Sequence, residues 1–367
     1  MLRRAWLLGL ASVGCGQSLE TPKVVRDLRV LSISVQPPEI LYDATVVDSP
    51  APERVATFSA LVLNPTGEPL SYRWSYCPVE SDYACNDYVT LRDDAPAEYQ
   101  DGLDAQRAQV ESGMAAPLPR TDGVAPSTWW QYDIPDFTPT ISSNGAKYFL
   151  REDNAWALLT GAWPSVILDV EVESGAERVT AIKRLVLNLQ DPGAVVTQYL
   201  DVTVCPPGTT PDDVPGCLPI RERVANSNPT FVGVQYMRGR DIDGAYLDPP
   251  AAGLTLAPRE SMRLLPILGD GSFDSYQTLR GALQNGAAQI VDAEEEPSVA
   301  WYCSAGRLDL ATTWPKVTKD LDNVYTAPSE LPATTSGMVT LWLVAHDQRA
   351  GEAWYSIDIR ITRHAGP

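Results

Sequence analysis

Residues 54–77, RVATFSALVLNPTGEPLSYRWSYC, decide how this chain is read. Ala56, Phe58, Ala60 and Val62 recur at every second position, the period of a strand that buries one face. Asn64-Pro65-Thr66-Gly67 is turn chemistry, because asparagine and glycine tolerate the backbone angles a reversal needs. Leu70 to Cys77 then resumes an extended pattern with Trp74 at its centre.

The same period continues on both sides. Leu28 to Val35 places Leu31, Ile33 and Val35 on one face and stops at Pro37-Pro38. Ser165 to Glu173 sets Val166, Leu168, Val170 and Val172 against Asp169, Glu171 and Glu173, and Ser174-Gly175 turns it into Arg178 to Leu189, a closing hairpin with one wet face. After Asn228-Pro229 the scheme repeats with Thr230 to Tyr236, Ser261 to Leu268 and Pro297 to Cys303. It closes with Met338 to Ala345 and Ala353 to Thr362, where Tyr355, Ile357, Ile359 and Ile361 make a buried stripe. Ser71-Tyr72-Arg73-Trp74 and Ser298-Val299-Ala300-Trp301 occupy matching places. The expectation is an all-β chain of two tandem immunoglobulin-like antiparallel β-sandwiches, the first with a long, partly helical insertion. Fibronectin-like or jelly-roll topologies share this periodicity.

The expected organisation is a signal peptide over 1–14 and a lipidated tether over 15–27. A first domain covers 28–190 with an insertion at 78–164, whose segments 103–111 and 148–159 have helical composition. A Pro/Gly-rich linker follows over 191–228, and a second domain over 229–367. The 367 residues are 44% hydrophobic and 20% charged, too apolar for a disordered polymer. With 28 basic and 47 acidic residues the net charge is -19, which repels nucleic acid and anionic bilayers. Only two histidines occur, His346 and His364, so the side chain most used for neutral-pH proton transfer is scarce.

Met1 to Cys15, MLRRAWLLGLASVGC, runs from two arginines through an apolar stretch to small residues and a cysteine, the order of an export signal. Ser12-Val13-Gly14-Cys15 resembles the bacterial lipobox, with Ser12 where that pattern usually has leucine. The resemblance implies lipid attachment at Cys15; a non-lipidated secretory signal is the competing reading. Cleavage there would leave 26 basic residues against 47 acidic ones, a net charge of -21, so lipid and not charge would hold the body to a membrane.

Two cysteine pairs close short loops, Cys77 with Cys85 and Cys205 with Cys217, and both suit local disulfides of an exported protein. Neither has metal-ligand spacing. Cys303, two residues after Trp301, is expected to be a buried thiol; the rival account joins it to Cys15. Trp129, Trp130 and Tyr132 in PSTWWQYD form an aromatic cluster that suits sugar stacking or a protein anchor, or else packing of the insertion onto the sandwich. Asp241, Asp243, Asp270, Asp274 and Glu294 to Glu296 raise calcium as a possibility, although no complete loop motif accompanies them. No nucleophile elbow, phosphate loop or H-E-x-x-H motif is present.

DLRVLSISVQPPEIL at 27–41, NPTFVGV at 228–234 and VTLWLVAHDQRAGEAW at 339–354, together with the lipobox-like start, resemble a group of Gram-negative lipoproteins with immunoglobulin-like domains. The resemblance touches both domains and not the insertion, and it transfers no catalytic residue. It implies an outer-membrane lipoprotein facing the periplasm or the cell surface. The expected role is non-enzymatic interaction, adhesion or scaffolding, with a protein or glycan partner, no nucleic acid and no cofactor. A carbohydrate-binding surface protein using the aromatic cluster is the alternative, and a glycosidase working through two carboxylates is a third.

Overall fold

The computed structural model describes residues 23–42, 55–77, 128–133, 165–191, 193, 203–240, 244–280, 289–330 and 337–362. The first sandwich contains β1 (Arg29–Gln36), β2 (Glu39–Tyr42), β3 (Val55–Leu63), β4 (Leu70–Cys77), β5 (Trp129–Asp133), β6 (Ser165–Val172), β7 (Arg178–Arg184) and β8 (Val186–Leu189). One sheet has the order β1-β3-β5 and the other β4-β6-β7, and β2 runs parallel to β8. Ala56, Phe58 and Ala60 are buried as their alternation requires, and the Phe58 and Trp74 rings meet across the sheets at 6.2 Å. The turn after β3 is fastened by Asn64, whose side-chain oxygen accepts the Thr66 N–H while its amide donates to the Glu68 carbonyl. Gly67 has φ +71° there, a conformation that favours glycine.

Two local expectations change. Val30 pairs with Val62 and Ser32 with Leu61, so Leu31 is an extra residue in β1, a bulge that shifts the strand's facing pattern. Consequently Val30 packs on the core with Ile33 and Val35, where alternation alone would place Leu31. The outer face of β6 is not wet throughout either, since Ile167 and Asp169 are buried. Asp169 is held by Arg73 and Arg178 and accepts the Thr180 hydroxyl at 2.6 Å.

In the second half, β9 (Phe231–Arg238), β10 (Leu254–Leu256) and β11 (Ser261–Leu268) precede a hairpin of β12 (Ser275–Arg280) and β13 (Gln289–Glu294). There follow β14 (Ser298–Cys303), β15 (Arg307–Leu308), β16 (Thr312–Thr313), the short helix α1 (Pro315–Thr318), β17 (Asn323–Thr326), β18 (Met338–His346) and β19 (Glu352–Ile361). The sheets are β10-β19-β18-β14-β16 and β15-β17-β11-β9, with β10 parallel to β19. Both halves therefore share a short early strand lying parallel to the last one and a buried tryptophan on the strand after the first hairpin or its equivalent. This is the immunoglobulin-like arrangement of an all-β chain. Of the expected stripe on β19, Ile359 and Ile361 are buried, and Tyr355 and Ile357 pack against the core partly exposed.

Trp301 is fully buried, and its indole N–H donates to the Thr313 hydroxyl at 2.9 Å, which in turn donates to the Leu321 carbonyl at 2.7 Å. Replacing Thr313 by valine keeps the shape and strands the indole N–H. Urea unfolding of Thr313→Val should show a loss of about 1–3 kcal/mol.

Candidate functional site

Among the described residues the buried charged side chains are Glu39, Asp169, Lys183, Glu295 and Asp347. All but Asp169 lie where the two sandwiches meet. β1 packs against β19, and Leu343, Val344 and Ala345 are all buried, so both faces of β18 are covered there. A strand covered on both faces lies inside a larger body, and β1 against β19 joins the two sandwiches beside it.

The turn between β18 and β19, with Glu352 that follows it, supplies polar contacts to the first sandwich. Asp347 shapes it: one carboxylate oxygen accepts the N–H groups of Arg349 and Gly351 at 2.7 and 2.9 Å. Gln348 and Ala350 have φ of 71° and 75°, and a Cβ on Gly351 would come within 1.9 Å of the Asp347 carboxylate, so only glycine fits. The turn then presents Arg349. One guanidinium nitrogen binds Glu295 at 2.9 Å, just after β13, and another binds Glu39 of β2 in the first sandwich. Its plane lies over the Tyr276 ring at 4.9 Å.

Glu39 is only 2% exposed. Besides Arg349 it accepts the Asn188 amide from β8 and the Asn226 backbone N–H at 2.8 Å. Asn226 also donates its side-chain amide to Asp347 at 2.8 Å. Arg223, from the same connecting segment, is half-buried near Glu39 and Arg349; burial lowers its pKa against the pull of Glu39.

A second group surrounds Glu352. It accepts the Ser32 hydroxyl at 2.6 Å and the buried Lys183 ammonium at 2.7 Å, both from the first sandwich, and the His346 ring nitrogen lies 3.4 Å away. Burial works to raise the Glu352 pKa, yet His346 and Lys183 hold it at about 2. Its share of stability is therefore present above the ordinary glutamate range and is lost as pH falls toward that value. Glu295 goes the other way: burial, with the Asp347 charge adding to it, pushes its carboxyl up to about 7 despite the Asp274 N–H and Arg349.

The N-terminal segment fastens the same assembly. Val25 N–H donates to the Cys303 carbonyl at 2.9 Å and Cys303 N–H to the Lys23 carbonyl at 2.8 Å, while the Lys23 ammonium donates to the carbonyls of Leu308 and Asp309. Part of the expected tether is thus docked along β14 before Leu28 enters the first core. Cys303 is a buried free thiol pushed by burial up to about 12, which keeps it protonated.

The sequence-derived site residues are distributed as follows. Cys205 and Cys217 form a disulfide that closes their loop. Cys15, Cys85, Asp241 and Asp243 lie outside the described residues, as does the Cys77 side chain. Trp129, Trp130 and Tyr132 lie on β5, which pairs with β3 as a strand of the first sandwich, opposite Ser59, Phe58 and Ala56 respectively. Trp129 is 58% exposed. Among the described residues no three His, Cys, Asp or Glu side chains converge as a metal site requires, and Glu296 is bound instead by Lys316 and the Trp314 indole. No described helix is long and apolar enough to cross a membrane.

No known protein family matches the chain, and neither does any curated protein. Among solved structures it is similar to dimeric latent PorU from Porphyromonas gingivalis, at 10% identity and a TM-score of 0.17 over 93% of this chain and 24% of that one. It is also similar to the D0-D1 domain of intimin, at 9% identity and a TM-score of 0.19 over 91% and 99% of the two chains. Likenesses of that size bear no weight for function.

Truncating Arg349→Ala leaves Glu39 and Glu295 buried without their shared cation. Chemical denaturation should show a loss of about 3–5 kcal/mol, the usual effect of breaking a buried ion pair from one side.

Proposed function

We propose that the chain is an exported, lipid-anchored protein of the cell envelope that works as a non-enzymatic interaction, adhesion or scaffold module. The observation that carries this reading is the junction: the buried charged groups that could serve chemistry elsewhere are spent on joining two sandwiches into one body. The docked N-terminal segment fits an anchored protein. Lys23 follows Cys15 by eight residues, a span of at most about 30 Å when fully extended, so a lipid at Cys15 would hold this body close to its bilayer. Metabolic labelling with radioactive fatty acid should mark the wild type and not Cys15→Ser; equal labelling of the two would remove the anchor.

A second reading, a carbohydrate-binding surface, is favoured by the exposed ring of Trp129. On a glycan array a binding protein should lose signal in Trp129→Ala, and an unchanged pattern counts against that reading.

A further inference from the structure

We propose that the junction between the two sandwiches is a proton-operated latch, closed while Glu295 carries a proton and loosened when that proton leaves. The inference stands on the geometry of the junction and is independent of any anchor at Cys15. Glu39, Glu295 and Asp347 are each buried and are linked through the shared partners Arg349 and Asn226, and the described cations near them are Arg349 and Arg223. Three carboxylates against two guanidinium groups leave one negative charge on buried carboxylates, and one proton neutralises it.

Glu295 is where that proton resides. Glu39 accepts from Arg349, Asn188 and Asn226 N–H, and Asp347 accepts from Asn226 and two turn N–H groups, so each has three donors. Glu295 has Arg349 and the Asp274 N–H, and faces the Asp347 charge. The remaining groups around it are engaged elsewhere. Tyr276 lies beneath Arg349, Glu296 binds Lys316 and Trp314, and Asp292 on the same hairpin binds Arg221. Lys183, His346 and Glu352 make their own cluster at the other end of the turn.

The sign follows from the direction of the shift. A carboxyl raised to about 7 from its ordinary value favours the closed junction fully below that ordinary value. The benefit is lost as pH rises through 7. Glu352 opposes this only in acid, so between pH 5.5 and 8.5 Glu295 is the carboxyl that acts.

Hydrogen exchange on the full chain tests it, followed at two amides that report the junction. Asn226 N–H donates to Glu39, and Glu352 N–H donates to Asn228. Their protection factors, corrected for intrinsic exchange, should fall on the order of tenfold from pH 5.5 to 8.5. The Trp301 amide, bonded to Ala311 inside the second sandwich, should hold steady and so separate latch opening from unfolding. Glu295→Gln, a permanent mimic of the protonated form, should flatten the response, whereas His346→Asn should keep it. A response that survives in Glu295→Gln, or disappears in His346→Asn alone, overturns the proposal. Should Glu295→Gln not fold, carbon-13 spectra of the wild-type carboxyl groups decide. A glutamate titrating near 7 supports the latch, and titration of every glutamate below about 5 sinks it.

Discussion

Arg349 cannot satisfy either of its carboxylates alone. It sits on a turn of the second sandwich, reaches Glu39 in the first and Glu295 in its own, and lies over Tyr276. A buried ion pair of this kind adds little net stability over apolar packing, because desolvation offsets most of the attraction. It does penalise every arrangement in which the partners are apart. The relative placement of the two sandwiches is specified by that penalty, and the linker residues Asn226 and Asn228 are fixed as a consequence.

The neighbouring cluster works on the same principle from the other end of the turn. Glu352 gathers a hydroxyl, an ammonium and an imidazole, two of them from the opposite sandwich. The two glutamates depart from ordinary behaviour in opposite senses because their surroundings differ: Glu352 has cations nearby, while Glu295 shares one cation and faces an anion. These polar groups give the junction its direction.

Much of the fold could be read from strand period. The long strands containing Phe58, Trp74, Leu168, Leu264, Trp301, Leu343 and Ile359 stand where alternation puts them, because a half-buried strand writes its buried face directly into sequence. Short strands were not legible. β15 and β16 have two residues each, fewer than one period can reveal, and Trp129–Asp133 reads as an aromatic cluster because two adjacent tryptophans with Tyr132 close behind obscure the alternation. The bulge at Leu31 adds one residue that no pattern announces. The junction was hidden for a different reason. Glu39, Asn226, Glu295 and Arg349 come from four separate segments, and each looks like an ordinary loop or strand-edge polar residue until the chain is folded. A hint lay in QPPEILY, where a glutamate enters an otherwise apolar strand.

The docked segment at Lys23 to Val25 closes the chain on itself across nearly its whole length, with Lys23 bonded to Leu308 and Asp309. A ribosome delivers the N-terminus first, so these residues exist long before β14 does and must wait, unpaired, until the second sandwich has formed. Contacts of such sequence separation are the slowest to be made. These early residues of the chain are therefore among the last to find their place, and their docking marks the moment at which assembly is complete.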